Sequence, residues 1–340
     1  MKDLIPGLTD DVARECLARD PFHAFPTLFS VCKLWQQELR DQTFHRFRKS
    51  TGIAQPVVVV VQTVPDIAES AKPRPVVYRL VIFEPATGVW SSLPPSPDLP
   101  FGLPLFCRLA AVGTELVVVG GWEPRNWATI DKVNVYDFLT GEWRRGSPLP
   151  HPLRSSFAGA AMHDSDKDCR AVYVAGGHDE SKNALRSALA YDVASDPWKP
   201  LPDMARERDE CSAVILRGKF LVLGEYPTEA QGMFSRSAEA FDATAGSWGR
   251  VEEAALEEAL EGGVWAPVAK LPSEMRLALN VVTWEGKLMV MGLGRSGLLA
   301  NILDIKATTT MTTPASASWR KVEVPPEYRG RFLGACCLVI

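Results

Sequence analysis

The 340-residue chain is built on a repeat. The unit is an apolar run ending in glycine, a loop, an apolar segment ending in Tyr-Asp or Phe-Asp, a short turn, then tryptophan and a Leu-Pro or similar exit. The cleanest copy has Leu116-Val117-Val118-Val119-Gly120-Gly121, Val133-Asn134-Val135-Tyr136-Asp137, Thr140-Gly141-Glu142-Trp143 and Pro148-Leu149-Pro150. A second has Val172 to Gly177, Ala190-Tyr191-Asp192, Trp198 and Leu201-Pro202, and a third has Phe220 to Gly224, Ala240-Phe241-Asp242 and Trp248. Two weaker copies carry Val57 to Val61 with Trp90, and Leu288 to Gly292 with Trp319. These marker tryptophans stand 53, 55, 50 and 71 residues apart, so half of the ten tryptophans act as a ruler. Short apolar runs punctuated by Gly and Pro read as strands, and each repeated unit must bury its faces against its neighbours.

A period near 50 with four strands per unit is that of a kelch-type β-propeller blade. Paired glycines allow sharp turns and close backbone approach, and each tryptophan offers a broad apolar face with an N–H that needs a partner. Phe332 to Ile340 are patterned like the strands that open other blades, such as Phe106 to Val112. The C-terminal strand is therefore expected to complete the blade of residues 57–94 and close the ring without an edge. The interval from Trp248 to Trp319 breaks the period. In it, Trp265 with Lys270-Leu271-Pro272 reads as the end of a blade whose first strands are missing, and Glu252 to Glu261 as an exposed helix across the gap. Residues 307–318, rich in Thr, Ala and Ser, read as a loop. The expected fold is mainly β, with five full blades plus a degenerate one in residues 51–340.

Residues 1–50 follow a different period. Leu4, Ile5, Leu8, Val12, Cys16 and Leu17, then Phe25, Leu28, Phe29, Val31, Cys32, Leu34, Trp35 and Leu39, recur at spacings of three and four. Thr9 is a candidate cap for a first helix, with Asp10 and Asp11 in its first turn, and Asp20-Pro21 and Phe25-Pro26 break the run. Three short helices are expected, the last near Ser30 to Asp41. So small an all-α domain cannot bury this many large apolar side chains alone, so part of the stripe must meet another surface.

Several function classes are disfavoured. The net charge of −4 is too close to neutral for a protein that tracks a nucleic-acid backbone by bulk charge. The start of the chain lacks the pattern of a signal peptide, and Val57 to Val61 is far short of a membrane span, so no membrane partner is expected. Seven scattered cysteines without a CxxC pair suit reduced thiols, with Cys336 and Cys337 as buried small hydrophobes. Five histidines show no ligand spacing, and His163-Asp164-Ser165-Asp166-Lys167-Asp168 reads as a polar hairpin turn rather than a metal site. No cofactor or metal is expected. There is no G-x-S-x-G elbow, Walker loop or dinucleotide fingerprint, so an intrinsic enzyme is a poor fit, although spacing alone does not exclude a Ser-His-Asp nucleophile.

Leu4 to Thr51 resembles the F-box, carried by Ile5-Pro6-Gly7-Leu8, Asp10-Asp11-Val12, Cys16-Leu17-Ala18-Arg19, Phe25-Pro26 and Ser30-Val31-Cys32-Lys33-Leu34-Trp35. Nearly the whole chain resembles plant kelch-repeat F-box proteins, most specifically in Gly102 to Arg108, Ala175-Gly176-Gly177-His178 and Met204 to Cys211. The resemblance implies a substrate receptor of a Skp–cullin–F-box ubiquitin ligase, in the cytoplasm, the nucleus or both. It implies that Ile5, Pro6, Leu8, Val12, Leu17, Phe25, Leu28, Val31 and Trp35 divide between the F-box core and a Skp-type adaptor, and through it a cullin-RING ligase. A subgroup with similar segments acts on phenylalanine ammonia-lyase, and relatives act on chalcone synthase or cytokinin response regulators. The competing class is a kelch scaffold uncoupled from a ligase.

Rotational equivalence of the blades gathers Arg108, Arg154, Arg206, Arg208, Arg276, Arg329 and Arg331, which precede or open first strands, at one end of the propeller. They form either a rim for an acidic or polar target or struts tied to carboxylates such as Glu207, Asp209 and Glu210. Loop residues after the paired glycines, Trp122, Trp127 and His178 with Glu123, Arg125, Asp179 and Glu180, are further contact candidates.

Overall fold

The computed structural model describes residues 3–64, 76–164, 169–253, 269–295, 297–305 and 319–340. Four helices come first: α1 (Asp10–Arg19), α2 (Phe25–Val31), α3 (Lys33–Arg40) and α4 (Gln42–Ser50). Thr9 caps α1 by position but makes no side-chain cap bond, whereas Asp41 accepts from Thr43 N at 2.7 Å and starts α4, a helix beyond the three expected. The break at extended Cys32 separates α2 from α3.

Five four-stranded antiparallel sheets follow, one per tryptophan marker. Blade 1 holds β1 (Pro56–Thr63), β2 (Tyr78–Phe83) and β3 (Trp90–Ser92). Blade 2 holds β4 (Arg108–Val112), β5 (Glu115–Val119), β6 (Val133–Asp137) and β7 (Glu142–Gly146). Blade 3 holds β8 (Ala158–Asp164), β9 (Cys169–Ala175), β10 (Ala188–Asp192) and β11 (Trp198–Leu201). Blade 4 holds β12 (Ser212–Leu216), β13 (Lys219–Glu225), β14 (Ser235–Asp242) and β15 (Ser247–Trp248). Blade 5 holds β16 (Met275–Trp284), β17 (Lys287–Gly294), β18 (Gly297–Asp304) and β19 (Arg320–Val322). The last strand, β20 (Phe332–Val339), pairs with β1 from Pro56↔Val339 to Gln62↔Phe332 and supplies the fourth strand of blade 1. The ring therefore closes through the C-terminal strand, as the sequence pattern predicts.

The first strand of each sheet is innermost, and β16, β20, β4, β8 and β12 pack side by side in that order. Apolar clusters cement blades 5 and 1, 2 and 3, and 3 and 4, whereas blades 4 and 5 keep separate clusters among the described residues. Paired β-bridges leave no space at the second glycine: a Cβ on Gly121 (φ +101°) would stand 2.5 Å from Leu105 O, and one on Gly177 (φ +81°) 2.3 Å from Ser155 O.

The marker tryptophans obey one bonding rule. Nε1–H of Trp143 donates to Pro94 O (2.9 Å), Trp198 to Ser147 O (2.9 Å), Trp248 to Pro202 O (2.7 Å) and Trp90 to Glu323 O (3.0 Å). Each acceptor stands four residues after the tryptophan of the preceding blade. Trp319 instead donates to Lys270 O at 2.8 Å, in the segment read as the exit of a reduced blade. Trp265 and most of the expected bridging helix lie outside the described residues, as do 165–168 of the polar hairpin and the 307–318 loop.

Candidate functional site: the outer face of the helices and the open end of the propeller

The helices dock on one end of the propeller. Leu17, Phe25, Leu39 and Phe44 share a buried cluster with Val57 and Val59 of β1, Tyr136 near the end of β6 with Phe138 and Leu139 after it, and Leu338 and Ile340. Arg48, on the buried face of α4 one turn after Phe44, is sequestered within this join. It donates to the carbonyls of Ala18, Asp20 (2.9 Å) and Ile340 (3.3 Å), and its guanidinium lies 4.9 Å from the Phe25 ring centroid. Burial brings its pKa down to about 10. His45 on the same helix bonds Leu39 O at 2.8 Å, and burial holds its imidazole down to about 4.

The structure sorts the apolar stripe. Leu17 and Phe25 are core, and Ile5, Leu28 and Trp35 are half-buried, with Trp35 Nε1–H donating to Leu4 O at 2.8 Å. Pro6 is exposed. Leu8, Val12 and Val31 are 38%, 47% and 55% exposed, and Cys16 and Cys32 are exposed beside them in sequence. Leu8, Val12 and Cys16 are spaced by four and share one face of the helix and its approach. The module thus has one face fused to the propeller and an apolar face left in solvent.

Antiparallel alternation puts the segments leading into the inner strands and the loops after the second strands at the opposite, open end. The expected arginine rim divides there. Arg208 is fully buried and bonds Glu239 Oε1 through Nε (3.1 Å) and Nη2 (2.7 Å), with Nη1 on Ser237 Oγ at 3.2 Å. Arg154, equally buried, donates to Gly176 O (3.2 Å), Ser187 O (2.9 Å) and Ser187 Oγ (2.8 Å), and burial lowers its pKa to about 10. Ser187 stands just before the third strand of blade 3 and Ser237 near the start of that of blade 4, each one residue ahead of the matched pairs Ala188↔Ala175 and Ala238↔Leu223, so the two arginines are equivalent internal struts. Arg108 reaches across to Phe157 O (2.5 Å) and Cys211 O (3.2 Å), and Arg206 is exposed but forked onto Glu253 at 2.9 and 2.5 Å. Arg276 and Arg331 are exposed, with no carboxylate partner among the described residues.

His178 is buried in a blade-to-blade network. Its Nδ1 bonds Asp209 Oδ1 of the next blade at 2.8 Å, and its Nε2 lies 2.6 Å from Ser155 Oγ and 2.7 Å from Lys182 Nζ. With Nδ1–H donated to Asp209, Nε2 is left to accept from the Ser155 hydroxyl and the Lys182 ammonium. The spacing is that of a Ser-His-Asp triad, but Ser155 is fully buried and its N–H is bonded to His178 O, so the network couples blades instead of presenting a nucleophile.

Above it, Trp122 packs at 6.2 Å from His178, 6.1 Å from Trp127 and 5.1 Å from Phe106, and Lys182 Nζ lies 4.2 Å from its ring centroid. Phe106 and Trp127 leave more than half their surface in solvent. Phe106 (φ +56°), Ser156 (φ +54°) and Glu210 (φ +49°) occupy one repeated position, each following a residue that bridges to Trp122, His178 or Tyr226. Left-handed backbone at three equivalent non-glycine residues marks a position over-determined by its surroundings. The sequence names Phe106 only as the start of a strand and Glu210 only as a carboxylate near an arginine, although the repeat register Leu105-Phe106, Ser155-Ser156, Asp209-Glu210 aligns them.

The comparisons agree with this architecture. The Kelch motif model matches residues 105–150 and 169–205. The F-box/kelch-repeat protein At1g15670 of Arabidopsis thaliana is 40% identical over 370 residues, spanning 99% of this chain and all of the relative. Its counterpart At1g80440 is 42% identical over 323 residues, spanning 86% and 89%, and SKIP20 is 33% identical over 288 residues, spanning 74% and 66%. Five propeller sheets behind a four-helix module, with a relative 40% identical over 99% of the chain and all of its own length, establish that the chain belongs to the plant F-box/kelch-repeat family.

Proposed function

We propose that the chain is the target-recognition subunit of a Skp–cullin–F-box ubiquitin ligase, with no chemistry of its own. Its helices dock on a Skp-type adaptor, and the open end of the propeller holds a protein target near a ubiquitin-charged enzyme, so its catalytic contribution is proximity. The observation that carries this is the solvent exposure of the apolar side chains Leu8, Val12 and Val31 on a module whose other face is sealed into the propeller core. Substituting Leu8→Ser with Val31→Ser is expected to abolish co-purification with a Skp-type adaptor while the propeller stays folded. Adaptor binding by residues 51–340 alone would overturn the assignment and leave the reading of an uncoupled scaffold.

The finer reading takes phenylalanine ammonia-lyase as first target, ahead of chalcone synthase and cytokinin response regulators, in the cytoplasm or nucleus. Its support is that the three family-like segments, Gly102 to Arg108, Ala175 to His178 and Met204 to Cys211, all contribute to the open end. A pulldown with the full chain and purified phenylalanine ammonia-lyase tests it. Retention that is lost on Trp127→Ala supports the choice, and no retention sinks it.

A further inference from the structure

The rim that repeats of arginine suggest is not what the open end presents over blades 2 to 4. Arg154 and Arg208 are internal, Arg206 is held by Glu253 and Arg186 by Asp203 at 3.1 Å. Arg125 and Lys182 lie against aromatic rings, at 3.4 Å from the Phe101 centroid and 4.2 Å from the Trp122 centroid. Between them stand the exposed carboxylates of Glu180, Glu207, Glu210 and Glu229, none in an ion pair among the described residues. Arg276, Arg295 and Arg331 are exposed on blades 5 and 1, and over blades 2 to 4 the exposed Arg236 at the start of β14 is engaged by a partner of its own, so the basic charge of the face lies mostly on blades 5 and 1.

The acidic half is continuous and carries apolar anchors. Trp122 of blade 2 touches Lys182 and His178 of blade 3. Thr228 of blade 4 joins Ala184 N (2.9 Å) to Glu207 Oε2 (3.3 Å). Phe106 and Trp127 mark one end of this arc. Met233 and Phe234 mark the other, Phe234 packed at 5.2 Å on Tyr226, and all four are more than half exposed. Burial and the Glu210 and Asp209 carboxylates beneath it push the Tyr226 phenol up, so this phenol stays protonated and adds no charge. Exposed rings in a fixed backbone supply contact area at low entropic cost, and unpaired carboxylates between them select the sign of the partner.

We propose that the target element docking here is a basic segment with apolar anchors, a stretch in which Lys or Arg is interspersed with bulky apolar side chains, lying across blades 2 to 4. This rests on the reading of the open end as the target-binding face. The test uses the purified full chain and three fluorescent 15-residue peptides: alternating Lys with Leu and Phe, the same peptide with Glu for Lys, and Lys with Ser. The Lys/apolar peptide is expected to bind at least tenfold tighter than either other, with affinity falling as salt rises. Glu180→Lys with Glu207→Lys should cut that affinity tenfold or more, Trp127→Ala should weaken it comparably, and Glu142→Lys at the opposite end should leave it unchanged. Equal loss with Glu142→Lys means bulk charge attraction and overturns the proposal. Tighter binding of the Glu peptide, lost on Trp127→Ala, overturns the stated chemistry while leaving this face as the docking site. Insensitivity of every peptide to Trp127→Ala and the double charge reversal overturns the proposal, and loss of adaptor co-purification is the separate readout on which the receptor reading itself stands.

Discussion

At the base of the propeller Phe22, Phe25 and Phe44 of the F-box are buried against blades 1 and 2, while at the open end Phe106, Trp127 and Phe234 stand mostly in water. Arginine divides the other way: Arg48 at the base and Arg154 and Arg208 at the open end are all internal, spent on carbonyls, hydroxyls and one carboxylate. The difference teaches that a buried arginine here serves as mortar at either end, whereas aromatics serve as mortar at the base and as contact surface at the open end. Residue type alone does not say which end a side chain serves; burial does.

Four measurements can break or sharpen that contrast. Phe25→Ala empties a fully buried site at the base and is expected to lower unfolding free energy by about 4 kcal/mol, against less than about 0.5 kcal/mol for Trp127→Ala. Equal losses in urea unfolding would erase the distinction between the ends. Acid should loosen the base selectively. His45 titrates at about 4 in the fold against 6.5 unfolded, so the unfolded chain binds the extra proton and stability falls as pH drops from about 6.5 to about 4. The shift corresponds to about 3 kcal/mol, and a His45→Asn variant with the same pH dependence as the parent would refute it. Arg48→Met leaves three carbonyls without their donor and should cost about 2 kcal/mol in thermal unfolding, more than Arg331→Met at the open end, which should cost nothing measurable. The smallest effect is of opposite sign: Phe106→Gly relieves left-handed backbone and should add up to about 1 kcal/mol of stability while weakening target capture. A destabilised Phe106→Gly would place Phe106 with the mortar.

The repeat made the propeller legible because five tryptophans recur with one hydrogen-bonding partner each, and the period of such a feature survives in sequence. The closing strand was legible for the same reason. Helix α4 was not, because its buried face alternates Phe44 with Arg48, and a buried cation breaks the apolar stripe by which a helix is recognised. The arginines misled through register: Arg154 and Arg208 lie three residues before Phe157 and Cys211, whereas Arg108 directly follows Cys107, the equivalent position. That offset decides whether the guanidinium enters its own blade or crosses to another. The repeated left-handed position escaped notice because Phe, Ser and Glu carry no residue signal for positive φ.

Closure by β20 has a consequence for how the protein comes into being at the ribosome. Arg48 and the Ile340 carbonyl it bonds are 292 residues apart in sequence. The helices are made before the propeller, yet the wall they pack on includes Leu338 and Ile340, which follow all five blades in sequence. A chain stalled or truncated before β20 lacks both the inner strand of blade 1 and part of the floor beneath the F-box. Completion of the propeller ring and final seating of the F-box helices thus wait on the same last strand, which ties the two halves of the molecule to one segment.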